Sequence, residues 1–205
     1  MVRNKRLLTV LLIILVEFLL LGILIVDNYQ ILRRGDAVWV EVNRDQPISI
    51  LNSTSIRYNC VGLEISTPTL PESSTLKEGD KIYAVYKVNG RGMLRLDRYY
   101  LTAQEVPENE DFLEVRLVSI ETVTVPPSTP QGTATSQYIL HVEAPFSEQS
   151  YSPVILSRLR EFLEDPDREQ GQLALQIRVD HGKSALEMLV LDGEPVRELL
   201  SEDGQ

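Results

Sequence analysis

The first stretch of the chain shows no alternation of polar and apolar positions. Leu7 to Val26 reads LLTVLLIILVEFLLLGILIV, twenty positions in which Glu17 is the only ionisable residue. Twenty helical residues at ~1.5 Å each span ~30 Å, the hydrocarbon thickness of a bilayer. The pattern predicts a transmembrane helix over 7–26, in contact with lipid along that stretch. Arg3, Lys5 and Arg6 precede it in a short tail, residues 1–6, while Arg33 and Arg34 follow at a greater distance. Basic flanks stay on the cytoplasmic side. The expectation is a cell (inner) membrane protein with its N-terminus in the cytoplasm and its C-terminal domain periplasmic or extracellular. A cleaved signal sequence shares the basic start, but its apolar core runs ~7–15 residues and ends in a small-x-small site. Here VDNYQILRRGD follows instead.

Beyond a juxtamembrane stretch, Asn28 to Arg34, the period drops to two. Val38, Val40 and Val42 alternate with Trp39 and Glu41, the mark of a half-buried strand over Ala37 to Asn43. Ser55 to Ser66 reads as a broken strand region, ending in a Pro/Ser/Thr loop from Thr67 to Thr75. Lys81 to Val88 (KIYAVYKV) is a firm strand with Ile82, Ala84, Tyr86 and Val88 on one face, and Asn89–Gly90 turns it back into Met93 to Leu101. Before it, Glu78–Gly79–Asp80 reads as a strand-entry turn with Gly79 at positive φ. Phe112 to Val125 alternates for so long that a bend or bulge is expected. PPSTPQGTATS, residues 126–136, fits either a linker between lobes or a long hairpin loop. Tyr138 to Glu143 is a further strand. Ser152–Pro153 then opens a helix in which Ile155, Leu159, Phe162 and Leu163 recur at helical spacing and which stops at Asp165–Pro166. Leu173 to Val179 and Ser184 to Leu191 flank Asp180–His181–Gly182–Lys183 as a second hairpin, and Asp192–Gly193 leads into a polar tail. The expected fold is α+β: a β-rich ectodomain with one main helix, preceded by a single N-terminal transmembrane helix. It divides into a β-rich lobe over 35–125, the 126–136 segment, an α+β lobe over 137–196 and an acidic tail over 197–205.

Charge sharpens this division. The 205 residues carry 20 Lys and Arg against 30 Asp and Glu, a net of -10, but from Gly35 onward the count is 15 against 28, a net of -13. Phosphate neutralisation needs a clustered basic face, so no nucleic-acid partner is expected. Cys60 is the single cysteine, which excludes an intrachain disulfide or a multi-cysteine metal site. His141 and His181 are the only histidines. His181 reads as a turn residue, and His141 as a residue of an apolar strand for which core or edge packing and catalysis serve equally well. The acids Glu108, Glu110 and Asp111, and the run Glu161, Glu164, Asp165, Asp167 and Glu169, lack calcium-loop spacing and read as solvated faces. No cofactor, metal ligand or catalytic residue is assigned.

Three functional readings remain. A carboxyl in mid-bilayer is expensive, so Glu17 marks either a contact with a polar group on another membrane helix or a neutralised acid. The first fits a non-enzymatic accessory module for another membrane protein. The second functional class is a membrane-tethered serine/lysine envelope hydrolase, using Ser53 or Ser55 with Lys81 or Lys87. The third is a module that binds an exported polymer on Tyr83, Tyr86, Tyr99 and Tyr100, which requires those rings to share an exposed face.

The order of features carries a resemblance. A basic tail, one span, then LKEGDKIYAVYK, NGRGMLRLDRYY and a C-terminal lobe ending in LEMLVLDGEPV is similar to the GDYxxLxY family of bacterial membrane-anchored proteins. The name-giving motif falls on Leu51 to Tyr58: Ile56 and Tyr58 match in character, while Leu51, Asn52 and Ser53 replace its glycine, aspartate and tyrosine. The resemblance implies a single-pass anchored protein of uncharacterised function whose partner is a multi-span membrane protein, with no catalytic residues to carry over.

Overall fold

A computed structural model describes residues 2–68, 70, 76–125, 135–164 and 172–196. Helix α1 (Val2–Arg34) runs without a break into strand β1 (Asp36–Glu41). Between Ile23 and Arg34 there is neither glycine nor proline to stop it, so the juxtamembrane stretch is helical rather than a connecting coil. Gly35 ends the helix: its N–H still reaches the Ile31 carbonyl at 2.9 Å, and the next residue already pairs in a sheet. Among the described residues α1 is the one helix long and apolar enough to cross a membrane, a description that a retained anchor and a signal sequence both meet. Phe18, Ile25 and other apolar side chains along it are exposed, whereas Ile31 near its end is buried.

The rest is a β-rich α+β domain. In chain order β2 (Ile48–Ile50), β3 (Ser55–Tyr58) and β4 (Glu64–Thr67) are short, β5 (Lys81–Val88) and β6 (Leu94–Tyr100) form a hairpin, and β7 (Phe112–Val125) and β8 (Thr135–Glu143) form a longer one. Then come β9 (Glu148–Ser150), helix α2 (Pro153–Glu164), the hairpin of β10 (Leu173–Asp180) with β11 (Lys183–Leu191), and a two-residue β12 (Glu194–Pro195). Three antiparallel sheets result, ordered β1-β10-β11-β12, β2-β3-β9 and β4-β8-β7-β5-β6. Each sheet joins strands from both sides of the 126–136 segment. One apolar core links them, from Val40 and Ile177 through Ile56 and Phe146 to Ile82, Leu113 and Leu140.

Several local expectations hold, with informative departures. Val38, Val40 and Val42 are buried as their spacing predicts. The long strand β7 does bulge, between Leu117 and Ser119. A second irregularity, where β6 meets Val85 and Tyr86, shifts the alternation of β5. Ile82, Ala84 and Tyr86 stay buried, Val85 joins them, and Val88 is 54% exposed rather than sharing their face. In the β5–β6 turn neither Asn89 nor Gly90 takes positive φ; Gly92 does, at +79°. The Asn89 side chain instead accepts the N–H groups of Arg91 and Met93, which makes a wider turn than the two-residue form. The strand-entry turn is as expected: Gly79 has φ +91°, and the N–H of Lys77 donates to the Asp80 carboxylate at 2.7 Å. Asp192 and Gly193, both at positive φ, turn the chain into β12 before any polar tail begins. Helix α2 starts where Ser152 caps it, the Ile155 N–H donating to Ser152 Oγ at 3.4 Å. The helix stop at Asp165–Pro166, the acids Asp165, Asp167 and Glu169, most of the 67–75 and 126–136 segments and the tail over 197–205 lie outside the described residues.

Candidate functional site

The joint between α1 and the domain is built from residues far apart in sequence. On the last turns of α1, Ile31 is buried, and the Asp27 carboxylate accepts both of its bonds from Lys183 Nζ, at 2.7 and 3.0 Å. That carboxylate holds the Lys183 ammonium above its ordinary pKa. Arg178 on β10 forms a two-pronged pair with Glu187 on β11 and donates a third bond to the Gly35 carbonyl at 3.2 Å. Gly35 has no room for a side chain, since a Cβ there would meet the Ile31 oxygen at 2.7 Å and the Val179 oxygen at 2.9 Å. The helix end is thus clamped to the β10–β11 hairpin by packing, charge and a close backbone approach together. Glu17 lies on the exposed part of the same helix.

The family-motif positions gather at a second place. Asn52 is exposed in the β2–β3 turn, where its Oδ1 accepts the N–H groups of Thr54 and Ser55 at 2.9 and 2.8 Å. Ile56 and Tyr58 point into the core, each 1% exposed. The Tyr58 and Tyr151 hydroxyls lie 3.0 Å apart, and burial, with Tyr151 close by, raises the Tyr58 phenol well above its ordinary value. A shallow groove of about 300 Å³ runs between this turn and α2, lined by Ile48, Ile50, Asn52, Ser53, Leu156 and Arg160 among others. Asn52 and Ile56 therefore have evident structural work, one closing a turn and the other filling the core.

The serine and lysine candidates are held apart by other partners. Ser55 Oγ lies 3.1 Å from Ser150 Oγ, and Ser53 is exposed at the groove. Lys81 donates to Glu114 at 2.5 Å and Lys87 pairs with Asp97 at 2.9 Å. His181 sits in the hairpin turn at φ +48° with its ring exposed and Nδ1 2.5 Å from Asp180. His141 is not packed as a core residue: it is half-buried on β8 between Glu64 and Glu121 of the flanking strands, at 3.3 and 3.4 Å. Among the tyrosines Tyr86 is buried, while Tyr83, Tyr99 and Tyr100 are half-buried and Tyr83 meets Phe112 edge-on. Cys60 is free, its Sγ directed at the Tyr58 carbonyl at 3.6 Å, and burial pushes the thiol up to about 12.

One further arrangement is built from parts scattered along the sequence. Beside the α1–β1 joint, a cleft of about 290 Å³ is lined by Arg34, Asp36, Tyr86, the acidic loop residues Glu108, Glu110 and Asp111 with Phe112, and the Val179–Gly182 turn. The turn is seated by Gly182, whose carbonyl accepts the Glu114 N–H at 2.7 Å and whose missing Cβ leaves space for the Phe112 ring. Among the described residues no group of three or more His, Cys, Asp or Glu is placed to hold a metal ion. No family model, curated protein or solved structure matches the chain.

Proposed function

We propose that this chain is a single-pass anchored membrane protein whose β-rich domain stands outside the cytoplasm as a non-enzymatic accessory to another, multi-span membrane protein. The observation that carries the reading is the state of α1. The described apolar side chains between Val10 and Val26 are bare, yet the end of the helix is clamped into the domain by Ile31, Gly35 and the Asp27–Lys183 pair. A helix that is only a disposable leader has no use for such a joint. Glu17, an acid in the middle of an otherwise apolar stretch, gives the span a polar handle for a second helix. The resemblance to the GDYxxLxY family supports the same reading.

The two other functional classes draw less support. Ser55 meets Ser150 rather than a lysine, and Lys81 and Lys87 hold carboxylates. A polymer-reading face of four tyrosines loses Tyr86 to the core. The test is photocrosslinking from position 17 in native membranes, combined with protease access from each side. Capture of a multi-span protein, with the domain cleaved only from outside the cell membrane, is the expected result. Uncoupled monomer, or a domain accessible from the cytoplasmic side, overturns it.

A further inference from the structure

The cleft at the α1–β1 joint collects acids from two walls. Asp36 and Asp180 belong to the four-stranded sheet, and Glu108, Glu110 and Asp111 to the loop that leads into β7. Opposing charge comes from Arg34 in the lining, from Arg98, which binds one oxygen of Glu110, and from Arg178, whose guanidinium lies near Asp36. His181, at its edge, is turned to Asp180. The five carboxylates outnumber the three guanidinium groups around the cavity, which leaves it a net negative potential.

Two polar groups in the cleft are left without partners. Glu110 Oε2 is buried and makes no hydrogen bond among the described residues. Tyr86 is only 8% exposed, lines the cavity, and its hydroxyl makes no hydrogen bond among the described residues. Burial first, then the nearby carboxylates of Asp111 and Asp36, push this phenol up to about 12. Its oxygen therefore feels both acidic walls at once. Of the two, the Glu110 oxygen is buried, and a buried polar atom with no partner is a standing cost that a ligand can remove.

The size and chemistry narrow the ligand. The acids do not converge closely enough for a metal ion, whereas about 290 Å³ admits a small organic molecule. Phe112 and Tyr86 are the aromatic members of a lining that is otherwise mostly polar. We infer that this cleft binds a small organic dication of the diamine or polyamine class, one ammonium group on each acidic wall and the Tyr86 hydroxyl completing the donor–acceptor set. An ammonium group offers three donors and no acceptor, the complement of a carboxylate oxygen and a phenol lone pair. The site does not depend on which side of the membrane the domain occupies.

The experiment is calorimetric titration of putrescine into the full chain in nanodiscs of zwitterionic lipid at low ionic strength. Butylamine and magnesium serve as comparison probes. The expected result is saturable binding of one putrescine per chain, with butylamine weaker because it meets one wall only. Asp36→Asn and Asp111→Asn should each weaken putrescine by about tenfold and Tyr86→Phe by a few-fold, while Glu121→Gln, outside the cleft, leaves it unchanged. Asp36 and Asp111 are exposed, so these amide variants keep the fold, and an unchanged melting temperature verifies that. No saturable heat, wild-type binding by both amide variants, butylamine binding as tightly as putrescine, or magnesium displacing putrescine at equal concentration each overturns the inference.

Discussion

A methyl group added at Gly182 would overlap the edge of the Phe112 ring, at a φ of +84° that side chains rarely adopt. Both effects act at once, because the turn is held down by the Gly182 carbonyl and cannot lift without losing the Glu114 hydrogen bond. Gly182→Ala should therefore cost about 2–4 kcal/mol in urea unfolding of the domain, against under about 1 kcal/mol for an alanine at an unstrained surface glycine. Gly90, open on all sides and not at positive φ, is the control. Cys60 makes a prediction of a different kind. Its thiol, ordinarily near 9, is raised by burial to about 12 in the folded protein. The native state thus keeps a proton that the unfolded chain releases, so this contribution to stability is whole below pH 9 and declines as pH rises toward 12. Tyr86, raised from 10 to about 12, adds to the same alkaline loss. Urea midpoints measured across that window should fall, and Cys60→Ala should make the fall shallower. A slope identical in the variant would show that the thiol is not the titrating group.

At the level of elements, α2 is the clearest case of a helix held by one face. Leu159 is fully buried and Ile155 nearly so, while Val154 on the other side is exposed. Leu159→Ala should destabilise the domain by about 2–5 kcal/mol, the usual range for emptying a filled leucine site, whereas Val154→Ala should change the urea midpoint little. This helix was legible from its Ser152 cap and its 3–4 spacing. The two long hairpins were legible too, because alternation and turn residues are local signals: His181 and Gly182 both sit at positive φ between β10 and β11, as a two-residue turn requires. The exposure of Val88 was hidden because an irregular pairing opposite Val85 and Tyr86 leaves no mark on composition. The helical juxtamembrane stretch was hidden for another reason. Asp27, Tyr29 and Gln30 look like a polar exit from the bilayer. Only Lys183, 156 positions beyond Asp27, and Arg178, 143 positions beyond Gly35, turn that exit into a clamp.

For the molecule as a whole, the long-range pairings were the illegible part. Nothing local in Val38 to Val42 announces that β1 aligns with β10, Asp36 opposite Val179 and Glu41 opposite Ala174. The acidic cleft depends on that alignment, since it carries Asp36 to Asp180 and both to the loop before β7. Segregation of charge was visible early as a net of -13 from Gly35 onward; its concentration at one cavity was not. The unbroken passage from α1 into β1 also has a geometric consequence. A helix advances about 100° per residue, and with no slack between Ile31 and Asp36 the direction in which Glu17 faces is locked to the azimuth of the sheets. One alanine inserted after Tyr29 would swing Glu17 by about 100° relative to the domain, and seven would return it to within about 20°. If a neighbour is read through both the span and the domain, crosslinking from position 17 should vanish with the single insertion and come back with the sevenfold one. Equal yields at every insertion length would mean that span and domain act in separate rotational frames. The joint makes this chain a keyed shaft, in which the bearing of the long helix dictates that of everything mounted on it.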